Sequence, residues 1–223
     1  MPPSVEEEHP RQGERRLPMA LAVISAAVLY LFLPADFRIT QDAVYVYPAF
    51  LMVLLGVLIV GDPGRIDRER RWLRLTTGVM IGLITLGSAV ASTRLVVGIL
   101  EGDTYGGAKE LLAIGALVWI TLVIAFALWY WHLDRGGPAA RVRGSAEHRP
   151  AFVFPEEGMD SPLYAQWYPQ FVDYLALSFN TATAFSPTDV SAVRHWSKLW
   201  LMTESGLSLA LIGLVLADAI NAL

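Results

Sequence analysis

Hydrophobic residues gather in long runs broken by short charged turns, without the strict alternation of half-buried strands. A bilayer core takes about 20 apolar residues of helix. On that measure the chain predicts spans near 17–33, 44–61, 75–99, 110–131 and 199–221. A further apolar stretch, 168–185, is speckled with polar residues. As a helix from about residue 170 to 185 it measures about 24 Å, marginal for a crossing and ample for a re-entrant half-helix. The predicted fold is all-α: a polytopic helical membrane protein with five clear transmembrane helices and one further spanning or re-entrant segment.

This pattern divides the chain into an N-terminal tail (1–16), a four-helix membrane region (17–132), a polar linker (133–167) and a C-terminal helix-loop-helix (168–223). The linker carries Gly136, Gly137, Pro138, Pro150, Pro155 and Pro162, and is predicted to be mostly without regular structure. It has too few apolar residues to bury a core of its own. The run after Arg16 resembles the start of a signal peptide, but Leu31, Phe32, Leu33 and Pro34 occupy the place of a small-residue cleavage site. An uncleaved first helix is the better reading.

Composition agrees with a membrane protein: 54% of residues are hydrophobic and 17% charged. The distribution of arginines says more than the net charge of −4. Arg65, Arg68, Arg70, Arg71 and Arg74 crowd one short loop, and Arg11, Arg15 and Arg16 precede the first span. Cytoplasmic loops accumulate such residues, so the expected location is the cell (inner) membrane, multi-pass, with a cytoplasmic N-terminus. The loop at 100–109 is then external, and the linker, with Arg135, Arg141, Arg143 and Arg149, is cytoplasmic. A full crossing by 168–185 is preferred. It leaves both termini inside and only Arg194 and Lys198 on the wrong side.

The absence of cysteine excludes disulfides, thiolate metal sites and cysteine nucleophiles. His9, His132, His148 and His195 show no paired metal spacing, and neither Gly-x-Ser-x-Gly nor a glycine-rich phosphate loop occurs. The chain is read as no enzyme, with no cofactor and no metal. Trp129, Tyr130, Trp131 and His132 read as an interfacial anchor, and Arg94 as a side chain that snorkels. Gly78 with Gly82, Gly206 with Ala210, and Gly213 with Ala217 have the spacing of close helix contacts, within the chain or between copies.

Candidate chemistry lies in 171–189. Asp173, Ser178, Asn180, Thr181, Thr183, Ser186, Thr188 and Asp189 fall in or beside an apolar segment, and Glu204 lies about a turn into the last span. Polar groups at membrane depth are costly unless they face protein or water, so the cluster marks a polar pathway or an interhelical hydrogen-bonded seam. For Asn180, Thr181 and Thr183 taken singly, the interhelical role is the commoner one. Asp173 reads as a helix cap or as a partner of Arg194 or Lys198.

The same segment resembles the pore helix and filter of potassium-channel pore modules, where Phe-x-Asp-x-Leu-Tyr-Phe-Ser leads to Thr-x-Thr-Thr-Val-Gly-Tyr-Gly-Asp. Phe171, Asp173, Leu175, Ser178, Thr181, Thr183 and Asp189 match, and a glycine-containing helix comes after them as the inner helix does there. The resemblance covers the last ~50 residues. The filter is degenerate: Ala184, Phe185, Ser186, Pro187 and Thr188 include no glycine, and Pro187 fixes its own φ. A carbonyl ladder selective for potassium is not built from them. Residues 173–189 also resemble a signature shared by a group of bacterial multi-pass membrane proteins with no assigned activity. The resemblance implies a homo-oligomeric, channel-like membrane protein with weakly selective permeation of monovalent cations. The alternative is a non-conducting scaffold that keeps only the architecture. The implied partners are the lipid bilayer, further copies of the chain and a monovalent cation, with no role for nucleic acid.

Overall fold

The structure, a computed structural model, describes residues 12–40, 42–102, 105–143, 149–162, 164, 166–183 and 189–221. Its helices are α1 (Leu17–Phe32), α2 (Val46–Gly61), α3 (Arg71–Glu101), α4 (Ala108–Leu133), α5 (Pro138–Arg143), α6 (Phe171–Thr183) and α7 (His195–Asn221). Two short antiparallel pairings join β1 (Glu14–Arg15) to β2 (Arg65–Ile66) and β3 (Phe152–Val153) to β4 (Ser191–Ala192).

The all-α expectation holds. Of the five predicted crossings, α3, α4 and α7 are long and apolar enough to span a membrane. α1 and α2 have 16 residues each. At 1.5 Å per residue that is about 24 Å, short of a hydrocarbon core of about 30 Å. The cause is local: Pro34 leads α1 into a 3-10 turn at Ala35–Phe37, and Asp62 with Pro63 behind it stops α2.

α4 is the axis of the bundle. Every residue from Leu122 to Leu128 is buried, as are Tyr130, Trp131 and His132, because α1, α3, α6 and α7 all lie against it. A helix apolar on every face belongs in such a position. α7 instead buries one stripe, Glu204, Ser208, Leu211, Val215 and Ala219, and exposes Leu199, Met202, Leu209 and Leu216. A Cβ on Gly115 would lie 2.7 Å from Val215, so this glycine permits the close crossing of α7 on α4.

The turn at the end of α4 decides where α6 goes. Arg135, Gly136 and Gly137 have φ of 50°, 77° and 98°, and they fold the chain back beneath the helix end. α5 then delivers Arg141 to the Trp131 and Asp134 carbonyls, 2.7 and 3.1 Å away, capping the C-terminal end of α4 with a cation. Fully buried Asp134 accepts the Ala151 N–H at 2.7 Å, the Phe152 N–H at 3.4 Å and the Tyr174 hydroxyl at 2.6 Å. It thereby pins both the linker and α6. Glu14 accepts the Trp131 indole at 2.8 Å and the Phe171 amide at 2.5 Å, satisfying an orphan donor at the start of α6. Burial pushes the Glu14 carboxyl above the ordinary carboxylate range, against the pull of Trp131, Arg141 and Phe171. The linker is accordingly more ordered than predicted. It contains α5, β3 and a 3-10 turn at Pro155–Gly158, and it buries Ala151, Phe152 and Phe154.

The full crossing expected of 168–185 is corrected. α6 has 13 residues, about 20 Å of helix. It starts beside Asp134 and reaches only to the level of Val123 and Trp119, near the midpoint of α4, where Ser178 bonds the Val123 carbonyl and Phe179 meets the Trp119 ring. β4 then lies on β3, and the Val193 amide bonds Ala151 at 2.9 Å, so the chain is back at the end it left. α7 starts there and runs the length of α4 to Leu111 and Ile114. Arg194 and Lys198 consequently share an end with Arg65–Arg74, and the charge violation of the six-span reading disappears.

Asp134→Ala strands the Tyr174 hydroxyl and two amide donors in the interior. It is expected to lower unfolding stability in detergent by about 3–5 kcal/mol. Arg143→Ala, which breaks a pair whose side chains are 57% and 41% exposed, is expected to change it by less than about 1 kcal/mol. Equal losses in denaturant melts would contradict a central role for Asp134.

Candidate functional site

Glu204 is the centre of the polar seam. Because α7 begins at His195, the residue lies about 14 Å along the helix, deeper than the single turn expected from the sequence. It has no exposed surface. The Tyr130 hydroxyl donates to its Oε2 at 2.5 Å, and Ser178 holds its Oε1. Ser178 also faces the Val123 carbonyl at 2.8 Å. A serine hydroxyl has one proton, so it serves one acceptor or the other. When it serves the carbonyl, the carboxyl must supply the proton between Glu204 and Ser178.

The next residues of α7 close the end of α6. Ser205 donates to the Thr181 carbonyl at 3.2 Å, and Ser208 to the Ala182 carbonyl at 2.5 Å while accepting the Trp119 indole at 2.7 Å. These bonds satisfy carbonyls that a helix ending at mid-depth leaves without partners. A cavity of ≈550 Å³ between α3, α4 and α7 is lined on α7 by Thr203 and Leu207 and not by Glu204, and the buried Ser88 and Ser92 hydroxyls face it with no hydrogen-bond partner among the described residues.

The predicted residues divide. Ser178 and Glu204 meet in the core. Thr181 bonds the Leu177 carbonyl and Thr183 the Asn180 carbonyl, so both act within α6 and not between helices. Asp173 accepts the Gln170 amide at 2.7 Å as a cap of α6. Asn180 is half-buried beside the outer face of α6, and Asp189 is exposed on the approach to β4. Ser186 and Thr188 lie outside the described residues, as does Pro187. Among the packing candidates, Gly78 lies under His132, whose Nε2 would be 3.4 Å from a Cβ there. Gly82, Gly206 and Gly213 meet nothing within 4 Å, and Ala210 and Ala217 are exposed on the same stripe of α7 as the last two. Arg94 donates to the Asp36 and Arg38 carbonyls at 2.9 and 2.6 Å, tying the 3-10 turn to α3.

Ser205, Ser208 and Trp119 belong to the seam without having stood out in the sequence, and Tyr130 belongs to it in place of the interfacial role expected of it. Ser208 comes four residues after Glu204, one helical turn, and this spacing is the signal that could have found it. Tyr130 has the sequence context of an interfacial anchor, yet it is fully buried. Among the described residues no three His, Asp or Glu side chains converge to hold a metal ion. Comparison of the chain with family models, curated proteins and solved structures finds no match.

An amide at 204 still accepts from Tyr130 and donates to Ser178, so Glu204→Gln is expected to stay within about 1 kcal/mol of the native stability. Glu204→Leu leaves the Tyr130 hydroxyl unpaired and is expected to cost about 1–3 kcal/mol. Melts of the two variants in detergent check the order, and an equally stable leucine variant would mean the hydroxyls find other partners.

Proposed function

We propose that this is a multi-pass membrane protein whose α6–α7 hairpin contributes to a weakly selective cation path assembled from several copies of the chain. The observation that carries the reading is the half-length α6, which stops at mid-depth while the chain returns to the end it came from. Asn180 and Thr183 stand half-buried beside its exposed face of Val172, Ala176 and Phe179. Gly206, Ala210, Gly213 and Ala217 give α7 a bare small-residue stripe, which suits contact with another copy. One hairpin encloses no symmetric pore, so the reading requires an oligomer.

Its orientation comes from charge. β1, β2, the first turn of α3, α5 and the start of α7 share one end and bring together Arg15, Arg16, Arg65, Arg68, Arg70, Arg71, Arg74, Arg141, Arg143, Arg194 and Lys198. That end is cytoplasmic by the positive-inside rule. α6 then dips from the cytoplasm, the reverse of a potassium-channel pore loop, and the C-terminus is external. With no filter glycines, selectivity for potassium is not expected.

A second reading, a non-conducting scaffold, is favoured by one observation. Ser178, Thr181, Thr183, Ser205 and Ser208 all spend hydroxyl protons on protein acceptors, and Glu204 is sealed.

The chain has no cysteine, so single cysteines report topology cleanly. Gly158→Cys should resist a membrane-impermeant maleimide in intact cells, whereas Lys109→Cys and Asn221→Cys should react. Labelling of 158 and 221 from one side would exclude re-entry of α6. In liposomes the protein should pass potassium and sodium at similar rates, and Asn180→Leu with Thr183→Val should abolish the flux. Flux equal to that of empty liposomes, or unchanged in the double variant, would leave the scaffold. Strong preference for potassium would overturn the argument from the filter.

A further inference from the structure

The N-terminal end of α3 is charged the wrong way round. Helix N-termini carry partial positive charge and favour acidic residues. α3 has none in its first turn, its N-cap Arg70 makes no side-chain capping bond, and Arg71 and Arg74 lie just beyond it. Of the acids in the preceding turn, Asp62 and Glu69 also line the cavity beside this end, but both are engaged: Asp62 holds Arg16 and Arg68, and Glu69 holds Arg143 at 3.0 Å. Arg70, Arg71 and Arg74 form no salt bridge with any described residue.

These side chains line a cavity of ≈300 Å³ between the start of α3 and the end of α4. His132 also lines it, only 6% exposed, and its imidazole makes no hydrogen bond to a described residue. The ring stands edge-on to Trp129, with Gly78 leaving room beside it. A mostly buried imidazole that faces a cavity, with no hydrogen bond to a described residue, is open to a partner that enters the cavity. Around it are guanidinium groups, whose planar fork matches phosphate oxygens, and free amide donors at the start of a 31-residue helix.

We propose that this cavity binds a phosphate group, with Arg70, Arg71 and Arg74 as its cationic rim and His132 as a donor at its floor. The same chemistry is presented by the headgroup of an anionic phospholipid and by free phosphate. In the membrane orientation proposed above, the arginine-rich end of the bundle lies at the headgroup level, and basic pockets at that level suit lipid phosphates. The site is separate from the α6–α7 seam and does not rest on the permeation reading.

The test uses the full chain in detergent, with thermal stability as readout and native mass spectrometry for retained lipid. Phosphatidylglycerol is expected to raise the melting temperature by several degrees and to be retained as a discrete adduct, while phosphatidylcholine does neither. A comparable shift from inorganic phosphate at millimolar concentration, without a lipid adduct, would support the site with free phosphate as its occupant. Arg70→Gln with Arg74→Gln should weaken either response at least tenfold, and His132→Ala should weaken it with the rim intact. Arg149→Gln with Lys198→Gln, basic positions at the same end but outside the cavity, is the control for diffuse attraction. A loss as large in that control as in the rim variant, or no response to either phosphate source, would overturn the proposal.

Discussion

The architecture depends on how the C-terminal end of α4 is closed. A helix that ends inside a protein leaves carbonyls without donors, and Arg141 supplies them from a chain that glycines 136 and 137 have turned back. That turn buries Asp134, and a buried carboxylate must gather donors. It takes them from Ala151 in the linker and Tyr174 in α6. The polar requirement of one residue thus fixes where the linker lies and where α6 begins. The depth that α6 reaches is then set by its length.

With its start fixed and only 13 residues, α6 ends among apolar side chains with carbonyls that need donors. Ser205 and Ser208 provide them, and Glu204 and Ser178 join the two helices one turn away. These serines are therefore needed wherever a half-helix terminates in a low-dielectric interior, whether or not anything passes nearby. This is why hydroxyls alone do not identify a pathway. Glu204 is different in kind, because a carboxyl is not required to cap two carbonyls and burying one is unfavourable without a role or strong partners.

Much of the helix layout is legible in the runs of apolar residues, since long hydrophobic segments need no tertiary context to be recognised. The third, fourth and last predicted spans fall inside α3, α4 and α7. α1 and α2 nearly fill the runs predicted at 17–33 and 44–61, closed by Pro34 and by Asp62 with Pro63, and at 16 residues each they fall short of a bilayer core of about 20 residues. The order of the linker is hidden because Phe152, Phe154 and Ala151 are few in number, and only the partner surface of α4 and α6 makes them core residues. Asp173 is legible as a cap. Thr181 and Thr183 are not legible as residues bonded within their own helix, because the choice between a neighbour and the carbonyl a turn earlier depends on what the neighbour offers. The role of Asp134 is invisible, since its three donors come from positions up to 40 residues away.

The direction of re-entry is the strongest constraint on how the channel resemblance can be used. If α6 entered from outside, the first turn of α3 and the loop before it would lie outside with it, because β1–β2 pairing and the Glu14 bonds to Trp131 and Phe171 hold all of them at one end. Such an orientation would expose Arg65, Arg68, Arg70, Arg71 and Arg74 on the side that basic loops avoid. The electrostatics of the whole bundle therefore weigh against placing a short sequence match in its usual orientation. A pore helix dipping from the cytoplasm points its negative C-terminal dipole toward the membrane centre just as one from outside does. For the proposed permeation path, attraction of a cation to mid-depth would survive the inversion, while the glycine-dependent ladder that would sort one cation from another is not available from residues 184–188.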